Sequence, residues 1–182
     1  MFKQLGLQID KILSKSIMSD FDPNLLVSTL NKFCTEMTPI SNKTIDYGRY
    51  LAYKSDTCNI QVDIFSQEYK GQIHNHNTWG AIGIVNGNFI ISDYSKISGK
   101  LFKIRSTYAV KGFVSFFPKA SDIHSIECLK GLQGISIHVY GKDFDMNTGM
   151  RYIQENYSWE KYQRSDLKEF KEIESYFQII SK

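Results

Sequence analysis

The stretch His74-Asn75-His76-Asn77-Thr78-Trp79, running on through Gly80–Val85, Asn86-Gly87 and Phe89–Tyr94, carries two messages at once. Gly80–Val85 reads as a strand. Asn86-Gly87 supplies the residues that tolerate positive φ in a tight hairpin, and Phe89–Tyr94 reads as the strand running back. In front of this unit, His74 and His76 lie two positions apart. On an extended chain, side chains two apart point the same way, so both imidazoles can grip one ion without backbone contortion. A lone His-x-His pair also occurs on solvated strands. The chain holds only four histidines, the others being His124 and His138, and all four fall in its central, strand-rich part.

Working outward, Asn59-Ile60-Gln61-Val62-Asp63-Ile64 alternates polar and aliphatic, the pattern of a half-buried antiparallel strand. Ser98-Gly99-Lys100 is a turn before a strand over Leu101–Val110. Lys111-Gly112 precedes Phe113–Phe117, Pro118 ends that strand, and the next starts near His124. The last, Ile135–Tyr140, follows Gly131 and Gly134. About seven or eight short strands with turns between them predict a sandwich or barrel.

Helical spacing flanks this β region. Phe2, Leu5, Ile9, Ile12, Leu13 and Ile17 form an amphipathic stripe over residues 2 to 18. A second helix starts at Asp22-Pro23, a cap followed by a proline suited to the first helical position. It buries Leu26, Leu30, Phe33 and Met37 and stops at Pro39. Near the end, Leu167, Phe170, Ile173, Phe177 and Ile180 suggest a C-terminal helix, with Asp166 and Glu169 close to a capping box. Residues 142 to 165 carry no clear periodicity.

The length of 182 residues and a hydrophobic content of 42% suit a single domain. Its expected parts are a helical region over 1–40, a β-barrel core over 45–141 and an extension over 142–182. The 22 basic and 19 acidic residues are interleaved and leave a net charge of +3, so nucleic acid is not implied. No apolar run reaches bilayer length, and the N-terminus lacks the apolar region of a secretory signal, which makes a cytoplasmic location the default and a membrane partner unexpected. Cys34, Cys58 and Cys128 are odd in number and widely spaced, which fits reduced core thiols.

Ser136, His138 and Tyr140 alternate with Ile135, Ile137 and Val139. A strand sends this hydroxyl, imidazole and phenol to one face and the aliphatics to the other. A polar row inside a small barrel needs a reason; facing water, it would be an ordinary solvated face.

Taken together these motifs resemble the cupin superfamily and, within it, the thiol dioxygenases of the cysteine dioxygenase family. The first cupin motif looks like Gly71-x-x-His74-x-His76 leading to Gly87, and the second like Gly112-x5-Pro118 leading to His124. The glutamate that usually follows the cupin histidine pair is missing, since Thr78-Trp79-Gly80-Ala81 has no carboxylate. Thiol dioxygenases share that absence. The resemblance covers about residues 45 to 145 and implies a mainly β, double-stranded β-helix barrel with the helices packed outside.

It also implies a site. His74, His76 and His124 match the three iron-binding histidines, and Ser136, His138 and Tyr140 match the row beside the iron. Arg49 matches the arginine that pairs with the substrate carboxylate, with Tyr47 near it, while Trp79 is a pocket wall or core packing. The cysteine that cross-links to the tyrosine in animal relatives aligns with Ala81, so Tyr140 is expected to be uncrosslinked. Asn75 replaces a common acidic residue between the ligands, and no role suggests itself for it.

The implied activity is that of a non-haem Fe(II) enzyme, one ion per chain, with O2 as cosubstrate. It would convert a small thiol, cysteine first, to the sulfinate. Three neutral imidazoles leave the ion its full charge, and a thiol binding there loses its proton. Guanidinium suits a carboxylate in a planar, bidentate way. Alternatives are 3-mercaptopropionate or another specialised thiol, a non-catalytic metal-binding cupin, and a cupin isomerase or hydrolase using another metal. The assembly is expected to be a monomer or small homo-oligomer.

Overall fold

The computed structural model describes residues 1–15, 21–41, 43, 45–76, 78–119, 122–141, 149–153, 158–161, 167–169 and 173–180. Two helices come first, α1 (Phe2–Lys15) and α2 (Pro23–Glu36). The strands are β1 (Met37–Pro39), β2 (Gly48–Lys54), β3 (Cys58–Phe65), β4 (Gly80–Asn86), β5 (Phe89–Ile97), β6 (Lys100–Ala109), β7 (Val114–Phe117), β8 (Ile123–Cys128), β9 (Gly134–Gly141), β10 (Met150–Ile153), β11 (Ser158–Lys161), β12 (Leu167–Glu169) and β13 (Phe177–Ile179). No described helix is long and apolar enough to cross a membrane.

The helices form where their sequences favour them. Asp22 caps α2 by accepting from the Asn24 N–H at 2.9 Å, with Pro23 in the first turn, and the buried stripe is Leu26, Leu30 and Cys34. On α1, Phe2, Leu5 and Ile9 are buried; Ile17 lies outside the described residues. Met37 is buried too, but as the first residue of β1 rather than the last turn of a helix.

A six-stranded sheet runs in the order β12-β2-β3-β9-β4-β7, and a three-stranded sheet in the order β6-β5-β8. One core cluster joins the helices to the larger sheet through Leu5, Leu26, Leu30, Ile60, Val62, Ile137 and Val139. A second lies between the sheets, where Ile82, Ile84, Phe89, Ile91, Phe117 and Ile126 meet. Central strands of the larger sheet are therefore covered on both faces. This corrects the expectation of a half-buried strand at 59–64: every residue of β3 is buried, and so is every residue of β9. The polar alternation marks an inner face, not a wet one.

Two further expectations are corrected. Asn86-Gly87 does turn, with Gly87 at φ +89°, but it does not close a hairpin. β4 pairs with β7 and β9 while β5 pairs with β6 and β8, so the turn hands the chain from one sheet to the other. The pairing partner of β5 is reached instead through Ser98-Gly99, both at positive φ.

The C-terminal helix is absent from the described residues. Leu167–Glu169 is a strand parallel to β2, Ile173–Tyr176 a 3-10 turn, and Phe177–Ile179 a strand on β1. Phe170 and Asp166 lie outside the described residues. Ile173 and Phe177, four apart, are both buried in the helix-side core, Phe177 meeting Phe2 edge-on. Ile180, the last member of the expected stripe, is half exposed. The run Tyr176-Phe177-Gln178-Ile179 finds an open strand edge, and pairing overrides the helical spacing. Within 142–165, β10 and β11 form an antiparallel pair that the sequence did not announce.

Candidate metal centre

His74 and His76 lie on an extended segment that adds itself to β8. Backbone bonds run both ways between His74 and His124 at 2.9 Å, and Gly71 N–H donates to Ile126 O at 2.9 Å. A Cβ on Gly71 would sit 2.5 Å from that carbonyl, so only glycine permits the approach. On the other side, Asn75 bonds Met150 twice: its N–H donates to the Met150 carbonyl at 2.9 Å, and its Oδ1 accepts from the Met150 N–H at 3.0 Å. Asn75 thus ties β10 to the ligand segment.

The three imidazoles converge. Their ligand nitrogens all lie within 4.8 Å of one another, and His74, His76 and His124 are buried. His76 Nε2 and His124 Nε2 are 3.3 Å apart. Two nitrogens bound to one ion at about 2.0–2.1 Å would be separated by roughly 3.0–3.4 Å, so the spacing fits a shared metal. His74 Nδ1 stands 2.8 Å from the Gln72 carbonyl, which can only accept, so the proton sits on Nδ1 and Nε2 is the nitrogen that could ligate a metal. Phe117 stacks on the His124 ring at 4.0 Å and 19°. Asp93, in register with His124 on β5, is held by Arg105 Nη2 at 2.6 Å. The donor set read among the described residues is therefore imidazole alone.

Beside the trio runs the polar row of β9. Ser136 Oγ meets His138 Nε2 at 2.7 Å, and His138 Nδ1 meets Tyr140 Oη at 3.0 Å. All three residues are buried, and the Tyr140 ring packs on His76 with centroids 4.7 Å apart. Gly80 stands opposite Tyr140 in the sheet, and a Cβ there would come within 3.1 Å of the ring. Ala81 instead faces Val139 in register and joins the helix-side core. The position across from Tyr140 is thus Gly80, one residue before the position the alignment of motifs suggests, and neither residue carries sulfur.

The inner face of β3 matches the row rung by rung, Asn59 with Tyr140, Gln61 with His138 and Asp63 with Ser136. Asp63 Oδ2 lies 3.5 Å from His138 Nε2 and 3.3 Å from Arg49 Nε. Arg49 therefore already has a carboxylate partner, and Asp63 links it to the row. Tyr47, with Arg49, Asp63, Phe65 and Tyr69, lines a cavity of about 240 Å³. Trp79 packs against Phe21 and Phe116 in the helix-side core.

Sequence reading singled out the histidines, noted Asn75 without a role for it, and passed over Asp63 and Phe117. For Asp63 a signal existed: two polar triplets of period two, 59-61-63 and 136-138-140, are what two neighbouring strands lining one hollow would show. For the Gln72 carbonyl no side-chain signal exists.

No protein-family model matches the chain, and no curated protein matches it in sequence. Among solved structures it is similar to an RmlC-like cupin from Shewanella frigidimarina, with 18% identity over 55% of this chain and 81% of that chain at a TM-score of 0.43. A cupin superfamily protein from Desulfitobacterium hafniense aligns at 16% identity over 65% and 88% of the two chains, TM-score 0.43. A DMSP lyase from Ruegeria pomeroyi aligns at 14% identity over 52% and 43%, TM-score 0.42.

Proposed function

We propose that this protein is a non-haem Fe(II) dioxygenase of small thiols, adding both atoms of O2 to sulfur. The observation that supports it most is the buried Ser136-His138-Tyr140 row laid against His76. Holding a metal needs the three histidines only. A second polar row, sealed from water and fully bonded along its length, is a cost without a use unless a reacting group meets it.

Bound at His74, His76 and His124, Fe(II) would supply the Lewis acidity that favours thiolate over thiol and the redox chemistry that dioxygen requires. The reaction R–SH + O2 → R–SO2H balances without an external reductant, sulfur giving up four electrons to the two oxygens. Phe117 and the burial of the trio exclude water from this side. A phenol has one hydrogen to give and lone pairs that receive. The contact with His138 Nδ1 at 3.0 Å fixes the Tyr140 hydroxyl beside the trio, where it would orient the substrate sulfur. Ser136 fixes the imidazole from its far nitrogen.

The test is anaerobic loading with Fe(II), followed by oxygen uptake and sulfinate detection with cysteine, 3-mercaptopropionate and 2-aminoethanethiol. Sulfinate formed in step with oxygen consumed is expected; no turnover of any of them contradicts the proposal.

A further inference from the structure

We infer that the thiol suited to this site carries an amine at its other end and no carboxylate, and that Asp63 sets this preference. The inference rests on the thiol-oxygenase reading and narrows its substrate.

Arg49 is the cation that a substrate carboxylate would seek. Its Nε faces Asp63 Oδ2 at 3.3 Å, with the two side chains only 15% and 6% exposed. The guanidinium charge is thus matched inside the protein, in a poorly hydrated place where a second carboxylate would meet the first. A substrate anion must displace Asp63 or crowd beside it.

Asp63 itself is under-used. Its other oxygen, Oδ1, is buried and accepts no hydrogen bond among the described residues. An ionised carboxylate offers lone pairs and no hydrogen, so only a donor satisfies it. An ammonium brings three.

The neighbouring cavity has the right walls. Tyr47, Phe65 and Tyr69 contribute aromatic rings beside Arg49 and Asp63, with Phe65 and Tyr69 centroids 5.2 Å apart. Aromatic faces attract cations and repel anions. The Arg49 and Asp63 charges offset each other, so the rings and the unbonded oxygen decide the sign of what enters.

Calorimetric titration of the zinc-loaded protein without oxygen reads binding apart from turnover. The probes are 2-aminoethanethiol, its carboxylate counterpart 3-mercaptopropionate, and cysteine. The wild type is expected to bind 2-aminoethanethiol at least about tenfold more tightly than 3-mercaptopropionate, given what a desolvated charge pair contributes. Asp63→Asn removes the carboxylate set against Arg49 and is expected to reverse that order, a gain for the carboxylate thiol that a damaged fold would not give. A wild type that binds cysteine or 3-mercaptopropionate as tightly as the amine, or a variant that keeps the wild-type order, overturns the inference. If that wild type still forms sulfinate from carboxylate thiols under oxygen, the oxygenase reading stands alone; if the loaded protein binds no thiol, both fall.

Discussion

At the scale of single residues, the groups that would hold a metal are distinct from those that would act beside it. His76→Ala removes one of three nitrogens and is expected to abolish metal retention and turnover together. Tyr140→Phe removes the hydroxyl 3.0 Å from His138 Nδ1 and leaves the trio intact. It should keep a full complement of metal while turnover falls about 10–100-fold, the usual effect of losing a supporting partner. Metal analysis alongside kcat for both variants checks this, and equal metal loss in the two would show the roles to be misassigned. Gly80→Ala would press on the Tyr140 ring at 3.1 Å and is expected to lower kcat with metal retained. The histidines were legible because four such residues in one region have few other uses. Asp63 was passed over despite the paired triplets, because an acidic residue on an alternating strand looks solvated until a second sheet covers it.

Among elements, the strands were easier to read than their connections. β3 and β9 have the expected alternation, and the apolar half of each packs under α1 and α2. Asn86-Gly87 shows the limit of local reading: the turn residues were right, yet the choice between a hairpin and a crossover depends on which sheet each strand joins. The last segment fails for a related reason, since pairing with β1 and β2 is invisible in its own spacing.

The docking of α1 on β2 and β3 has a consequence for acid stability. Asp10 accepts from Tyr53 Oη at 2.6 Å, Ser55 Oγ at 2.7 Å and Thr57 Oγ1, with Cys58 Sγ at 3.5 Å. Burial pushes its pKa up, but the donors Thr57, Tyr53, Ser55 and Cys58 outweigh it and hold the carboxyl below the usual range. A depressed carboxylate stabilises the fold above its unfolded value, near 3.9, and that stability is lost as pH falls through the folded value. Asp10→Asn is expected to cost about 1–3 kcal/mol at neutral pH and to flatten the decline across the acidic carboxylate range. Urea unfolding at a series of pH values reads both; parallel curves for the two proteins would contradict it. The same burial pushes the Cys58 thiol up to about 12, so the folded protein should leave this cysteine unmodified by a thiol reagent at neutral pH.

For the whole molecule, a metal held by His74, His76 and His124 would couple parts distant in sequence. The ligand segment at 74–76, β8 and β10 are held to one another by the His74, His124, Asn75 and Met150 backbone bonds. An ion bound only by the folded arrangement stabilises it by about 2.7 kcal/mol at a free concentration a hundred times its Kd. A chelator should therefore lower the Tm of loaded protein, and should leave His124→Ala unaffected. The mainly β architecture was legible from turn signals and alternation, whereas the sharing of one hollow by two polar triplets required the sheet order. The most direct measurement is iron K-edge X-ray absorption of the anaerobic Fe(II)-loaded protein, before and after adding 2-aminoethanethiol. The account predicts imidazole scattering from three histidines at the outset and a new sulfur neighbour once the thiol is present. Iron without imidazole scattering, or a spectrum that the thiol leaves unchanged, would contradict it.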